Sequence, residues 1–178
     1  MKSVFYLALL LLCLPATAQN PKRFYVQTVH PEGLLYFVFP QKMPRQSHEK
    51  AAVRKPLQYD YTYLDACDSV TLLATVVTGA AFRADSLCIG FASGEQKTTA
   101  AEPIYCQPVK HSWESRIRCR LHRDDWERLY RAEAPFTLTF VSGESDLRPC
   151  FGDKPRNWPK VCARFVRLHE IIRLNRKN

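Results

Sequence analysis

The stretch from Arg116 to Val141 constrains the fold most, because it contains three elements in a row. Residues 116–121 alternate arginine with small or apolar side chains, which is the period of a half-buried strand. Asp124 and Glu127 have the spacing of a capping box, so a short helix is expected over residues 124–134, ending before Pro135. Residues 136–141 alternate again and predict a second strand. The chain must therefore pack a short helix between two strands.

The same two-residue period recurs along most of the chain. It predicts further strands over residues 23–30, 59–63, 70–77 and 86–91. Residues 34–39 are apolar on both faces and predict a buried strand, and a short strand is expected over residues 103–108. Residues 160–175 instead have apolar side chains at helical spacing and predict a C-terminal amphipathic helix. We expect a mainly β fold, either a β-sandwich or a strongly curved antiparallel sheet, with one crossover helix and one C-terminal helix. An α+β sheet with both helices on one face is the alternative.

Three tyrosines, Tyr59, Tyr61 and Tyr63, share one face of a predicted strand. Exposed aromatic rings in a row are typical of platforms that bind sugars or bases. Large aromatic side chains also fill the core of a β fold, and we favour that interpretation.

The N-terminus has the features of a secretory signal peptide. Lys2 precedes an apolar run over residues 4–14, and small residues at Ala16 and Ala18 suit signal peptidase. A retained membrane anchor is the alternative, but the run is short for a spanning helix. We expect residues 1–18 to be removed and residues 19–178 to form one secreted or periplasmic domain, with a basic surface loop near residues 41–57 and no transmembrane segment after cleavage.

Cysteines support the same compartment. One of the seven lies in the signal peptide, and an even number in an exported chain indicates disulfides. A strand register that places Cys106 opposite Cys119 also places Ile104 opposite Leu121, which supports this pairing of the strands and makes a Cys106–Cys119 bridge possible in it. Buried free thiols are the alternative. The candidates for structural disulfides are Cys67, Cys88, Cys106, Cys119, Cys150 and Cys162.

Basic charge is concentrated at the two ends of the exported chain. Residues 19–58 carry 7 basic and 2 acidic side chains, and residues 116–178 carry 15 basic and 8 acidic ones. Residues 59–115 are acidic on balance, with 3 basic and 7 acidic side chains. Outside the cytoplasm, a basic surface is expected to meet an anionic glycan or an envelope protein rather than nucleic acid. A generally basic, soluble surface is the simpler alternative.

No catalytic constellation is visible in the sequence. There is no nucleophile elbow and no glycine-rich phosphate loop, and no histidine has a local partner that marks it as a general base. Cys106, His111, Cys119 and His122 have a spacing that superficially suggests zinc. On a strand, however, Cys119 and His122 point to opposite faces, so we expect neither a metal nor a cofactor.

One surface feature suggests a binding face. Arg116, Arg118 and Arg120 project from the same side of a predicted strand, and Arg123 extends the cluster. Guanidinium groups bind sulfate, phosphate and carboxylate well. Pairing with acids on neighbouring strands, such as Asp60, is the alternative.

These patterns favour a non-catalytic binding or interaction module of the cell envelope or extracellular space. A small exported hydrolase with dispersed carboxylates or a histidine is an alternative, as is an inhibitor or immunity-type protein that blocks an envelope enzyme. A cleft with convergent acidic or histidine side chains favours the hydrolase.

Overall fold

The computed structural model describes residues 24–46 and 52–175. The predicted signal peptide lies outside the described residues. The elements are β1 (Tyr25–His30), β2 (Gly33–Met43), β3 (Leu57–Leu64), β4 (Ser69–Thr78), β5 (Ser86–Gly90), β6 (Gln96–Val109), β7 (Ser112–His122), α1 (Arg123–Arg131), β8 (Thr137–Val141), β9 (Cys150–Gly152) and α2 (Trp158–Asn175), the last preceded by a 3-10 turn over Pro155–Asn157.

The described strands form one antiparallel sheet. Its order is β1-β2-β3-β4-β7-β6-β5-β8-β9. The long strand β6 joins two parts of it, because residues 96–100 pair with β5 and residues 101–109 pair with β7. The sheet curves strongly, since the chain just after β2 reaches β9 near the other end of the order. There, the backbone N–H of Gln46 donates to the Cys150 carbonyl at 3.0 Å, and the N–H of Gly152 donates to the Pro44 carbonyl at 3.0 Å.

The prediction of a mainly β fold with a curved sheet and two helices is confirmed. Strands β1 and β2 form a hairpin, with His30 opposite Gly33. Strand β9 lies in a stretch that the sequence predicts as loop. It is only three residues long, so too little alternation was present to reveal it.

The predicted register between β6 and β7 is wrong. Cys106 lies opposite Ser115, and Cys119 lies opposite Ala101. The prediction assumed a long connection between the strands, whereas the chain turns tightly after Val109, with Lys110 in a left-handed conformation at φ 55°. A tight turn fixes the register of a hairpin, so the apolar match that suggested the Cys106–Cys119 pair was coincidental.

No disulfide joins the six described cysteines, all of which are free thiols. Cys119 faces the core and is 1% exposed. Burial there raises the pKa of its thiol to about 12. Such a thiol stays protonated and behaves as a small apolar side chain.

The inner face of the sheet packs against both helices. Ile117, Cys119 and Leu121 face inward on β7, as the alternation predicted. Tyr61 on β3 contacts Trp126 of α1 and Phe165 of α2, with ring centroids 5.1 and 6.0 Å apart. The three tyrosines of β3 are 1–4% exposed, so the prediction that they fill the core is confirmed.

Helix α1 starts and ends earlier than predicted. Its N-cap is His122, whose Nδ1 accepts from the backbone N–H of Asp124 at 3.3 Å. Asp124 therefore lies within the first turn and is not the cap, because β7 runs into the helix with no residue between them. One face of α1 is apolar, and its residues Trp126, Leu129 and Tyr130 are buried.

Helix α2 matches its prediction closely and begins two residues earlier, at Trp158. The side chains of Phe165, Leu168 and Ile172 are buried, and Val161 packs against the core. The α1 and α2 apolar faces meet over the tyrosines of β3 and complete the core.

The predicted basic loop over residues 41–57 is shorter than expected. Strand β2 continues to Met43, and β3 begins at Leu57. Met43, Val53 and Leu57 are 0–1% exposed, so parts of this stretch belong to the core. Residues 47–51 of the predicted loop lie outside the described residues.

Candidate functional site

The arginines of β7 lie on the outer face of the sheet, where acidic side chains meet them. The Arg116 guanidinium forms an ion pair with Asp60 of β3 and donates to Thr75 Oγ1 at 2.8 Å. Arg118 makes a forked contact with Glu102 of β6, at 2.6 and 3.0 Å. These acids come from the strands on either side of the β4–β7 pair. The ion-pairing interpretation is therefore realised for both arginines.

The other two predicted binding residues differ from each other. Arg123 donates to the Tyr63 hydroxyl at 3.3 Å and pairs with Asp68 at 3.1 Å. Arg120 is exposed and forms no ion pair within the described chain. The four arginines thus do not form one free basic face.

The pKa shifts of Glu102 and Arg118 reflect the same ion pair. The hydrogen bond from Arg118 is the main reason that the pKa of Glu102 is lowered below its ordinary value. The same contact raises the pKa of Arg118. Glu102 therefore stays charged at neutral pH, and an external anion must compete with it for the Arg118 fork.

A second basic surface lies on α2 and the turn before it. Between Asp153 and Asn175 the chain has six basic side chains, all exposed, and two acids. Arg164 donates to Gln41 Oε1 at 3.3 Å and lies over the Phe24 ring. We name this surface the α2 basic face, and its members are Lys154, Arg156, Lys160, Arg164 and Arg167. The sixth cation, Arg173, lies on another side of the helix, where it lines a cleft.

The α2 basic face is much less neutralised than β7. Lys154, Arg156 and Lys160 form no ion pair with any described residue. Three of its cations, Lys160, Arg164 and Arg167, recur at four and three residues along the helix. Like charges at these spacings repel and destabilise a helix slightly, so this arrangement is not explained by the stability of α2.

That cleft has a volume of about 570 Å³ and lies between α1 and α2. Phe165, Val166 and Tyr63 supply apolar surface to it. Both helices contribute charged side chains, which carry both signs. They are Arg123, Asp124, Glu127 and Arg131 from α1 and Glu170 and Arg173 from α2, with His169 among them.

His169 links the cleft to the buried core. Its Nδ1 lies 3.7 Å from Glu127 Oε1, and its Nε2 lies 3.5 Å from the Tyr61 hydroxyl. The imidazole is stacked on Phe165, with centroids 4.2 Å apart. Contact with His169 is the main reason that the pKa of Glu127 is lowered, and Arg131 adds to this effect from 3.0 Å. Each ring nitrogen of His169 thus faces a protein group.

The tyrosine hydroxyls below the cleft are poorly placed for chemistry. Tyr59 and Tyr130 share a hydrogen bond of 3.0 Å in the core. Burial raises the pKa of Tyr59 to about 12 and that of Tyr61 well above its ordinary value. They remain neutral hydroxyl groups at physiological pH. Glu127, His169 and Tyr61 converge, and Glu127 and His169 line the cleft.

A smaller cavity of about 60 Å³ lies on the other side of α2. Tyr59, Tyr130, Asp153 and Arg164 contribute to its lining. Burial raises the pKa of Asp153, which the nearby Arg164 partly offsets. The lining is mostly apolar, and these polar groups are the ones that could bind an ordered water there.

The four zinc-like positions are dispersed. Cys119 is 1% exposed in the core, whereas the His122 side chain is 54% exposed on the other face. Within the described residues, no three His, Cys, Asp or Glu side chains are close enough together to hold a metal ion.

None of the described helices is long and apolar enough to cross a membrane.

No family model, curated protein or solved structure matches the chain. The assignment of a function consequently depends on the geometry of these surfaces alone.

The sequence argument missed the α2 basic face, although the signal was present. Once Val161, Phe165, Leu168 and Ile172 are assigned to the buried stripe, most remaining charged positions of the helix are basic. The cleft gave no such signal, because its walls come from β3, α1 and α2, which are distant in sequence.

Proposed function

We propose that this chain is an exported, non-catalytic binding module that holds an anionic glycan on the α2 basic face. The observation that carries the proposal is the cluster of five exposed cations on one helix and its leading turn, opposed by two acids. Such a surface attracts a polyanion at long range and binds it through several weak contacts. The predicted signal peptide supports a location in the envelope or outside the cell, where anionic glycans are expected.

The arrangement along the helix supports an extended partner. Lys160, Arg164 and Arg167 follow one face of α2, and Lys154 and Arg156 continue the charge at its N-terminal side. An 18-residue helix is about 27 Å long at 1.5 Å per residue. A polymer with repeated anionic groups can contact several of these cations at once, whereas a small ion contacts one or two.

The hydrolase alternative has a specific observation in its favour, the approach of Glu127 and His169 in the cleft at 3.7 Å. Its weakness is that Nε2 of the same histidine faces the buried Tyr61 hydroxyl instead of the cleft. The geometry therefore favours binding over catalysis.

The test compares two pairs of charge removals in the exported form. The double variant Arg156→Gln/Lys160→Gln is expected to weaken binding to dextran sulfate about 30-fold at low salt, at about 1 kcal/mol for each cation near an anionic surface. The matched pair Arg116→Gln/Arg118→Gln is expected to change it less than about threefold, because both arginines are already paired. Neutral dextran is the ligand control.

Binding is measured by titration calorimetry over a range of salt concentrations. Equal losses in the two pairs would show that overall charge alone attracts the polymer, and the proposal would fail. It would also fail if the folded wild-type protein did not bind dextran sulfate.

A further inference from the structure

The cleft between α1 and α2 differs in chemistry from the α2 basic face. Three guanidinium groups and three carboxylates line it, so its formal charge is zero when His169 is neutral. A dense anion placed there meets carboxylates, and a cation meets guanidinium groups. The electrostatics of the cleft therefore favours neither kind of ion.

What the cleft does offer is hydrogen bonding of both kinds. Arginine side chains only donate, and ionised carboxylates only accept. Arg131 on α1 is 70% exposed, and Glu170 on α2 is also exposed, so a donor and an acceptor project from opposite walls. Sugar hydroxyl groups both donate and accept, and they can satisfy such a mixed rim without carrying charge.

The rest of the lining suits the apolar side of a sugar ring. Tyr63, Phe165 and Val166 line the cleft between the charged groups. The volume of about 570 Å³ lies within the range of small-molecule sites, which is about 300–1,000 Å³. The site combines apolar surface with a few convergent polar groups.

The cleft and the α2 basic face lie on different sides of the same helix. Arg173 lines the cleft, and at 100° per residue it lies about 140° around α2 from Lys160. A chain that crosses α2 can therefore place a sugar unit in the cleft while its charged groups contact the basic face.

We infer that the cleft binds a neutral sugar unit of the glycan, an inference that rests on the proposed function. The anionic groups supply attraction along α2, and the cleft supplies selectivity for the sugar. Arg131 and Glu170 act as specificity-determining residues that bind ring hydroxyls from opposite walls.

The experiment separates the two sites by salt. Neutral trisaccharides (maltotriose, cellotriose, mannotriose and tri-N-acetylchitotriose) are titrated by calorimetry in about 0.5 M NaCl, where exposed charges are largely screened. We expect at least one to bind and Arg131→Ala/Glu170→Ala to weaken it at least tenfold. The control Arg120→Ala/Glu144→Ala removes the same two residue types at exposed positions away from the cleft and is expected to leave binding unchanged.

Each result has a distinct meaning. If none of the four trisaccharides binds while dextran sulfate still does at low salt, the sugar site is overturned and the proposed function stands. Trisaccharide binding that the cleft variant does not weaken also overturns the inference. If trisaccharides bind as expected but dextran sulfate does not, the cleft binds sugar and the anionic part of the proposed function fails.

Discussion

The outer face of β7 and the outer face of α2 both display rows of arginine or lysine, yet their surroundings differ. On β7, Asp60 and Glu102 from other strands neutralise Arg116 and Arg118. On α2, most of the cations have no acidic partner among the described residues. A row of arginines on an inner strand of a sheet therefore says little about binding until its neighbours are known, whereas a surface helix has fewer neighbours.

Removing the acids around β7 is expected to leave its arginines almost as free of acidic partners as the cations of α2. Asp60→Asn/Glu102→Gln releases two arginines, and affinity for dextran sulfate should rise about 30-fold at low salt, at about 1 kcal/mol for each released cation. The control Glu144→Gln/Asp146→Asn removes two exposed loop acids and should raise affinity only a few-fold. Calorimetric titration checks both, and equal increases would contradict the neutralisation argument.

The two regions should also respond differently in stability. Arg116→Ala leaves the Asp60 carboxylate, 23% exposed, without its cation, and should lower the free energy of unfolding by about 1–2 kcal/mol. Lys160→Ala on α2 should change it by less than about 0.5 kcal/mol. Urea denaturation of both variants gives the comparison. A cost for Lys160→Ala as large as that for Arg116→Ala would show that α2 cations have a structural role.

At low pH the arginines of β7 should be less neutralised, and in this respect β7 should become more similar to α2. The pKa of Glu102 is lowered in the folded protein, so its pairing with Arg118 contributes stability above its ordinary pKa. That contribution is lost as pH falls through the lowered value, and Arg118 is then released.

The effect is measured as binding to dextran sulfate, whose sulfate groups stay ionised in acid. Arg118→Gln should weaken binding less than about threefold near pH 7 and about fivefold at a pH below the lowered pKa of Glu102. An unchanged effect of this variant across the pH range would mean that Glu102 does not control Arg118. Far-UV circular dichroism at each pH verifies that the variant stays folded.

The smallest expected effect comes from giving α2 an acid of its own. Lys160→Glu places a carboxylate one turn before Arg164 and should stabilise the helix by about 0.5 kcal/mol, because a like-charge pair becomes an opposite-charge pair. It should weaken dextran sulfate binding at the same time. The control Lys160→Gln removes the positive charge without adding a carboxylate, so it measures the loss of repulsion alone. A destabilised Lys160→Glu variant would contradict the claim that these cations repel.

Local pattern accounts for most of the fold that could be predicted. The alternation in β7 and the helical spacing in α2 each name their buried residues correctly, because burial follows the repeat of the element. The register between β6 and β7 did not follow from the pattern, since a tight turn at Lys110 decided it. Strand β9 was too short to show a period.

The candidate site divides in the same way. The α2 basic face could have been predicted from the sequence, because its helical residues belong to one amphipathic segment. The cleft was not, because Tyr63, Glu127 and His169 meet only when α1 and α2 pack over β3. Likewise, Arg116 and Asp60 are 56 residues apart, and sequence offered their pairing only as an alternative.

The sequence by itself determined the mainly β composition, the two helices and the sides of the elements that are buried. Those properties depend on the spacing of apolar side chains within each element. The tertiary structure decided which cations are neutralised, which cysteines stay apart and where a cleft opens. These properties depend on strand register and helix packing, which bring distant residues together, and no local spacing encodes such distances.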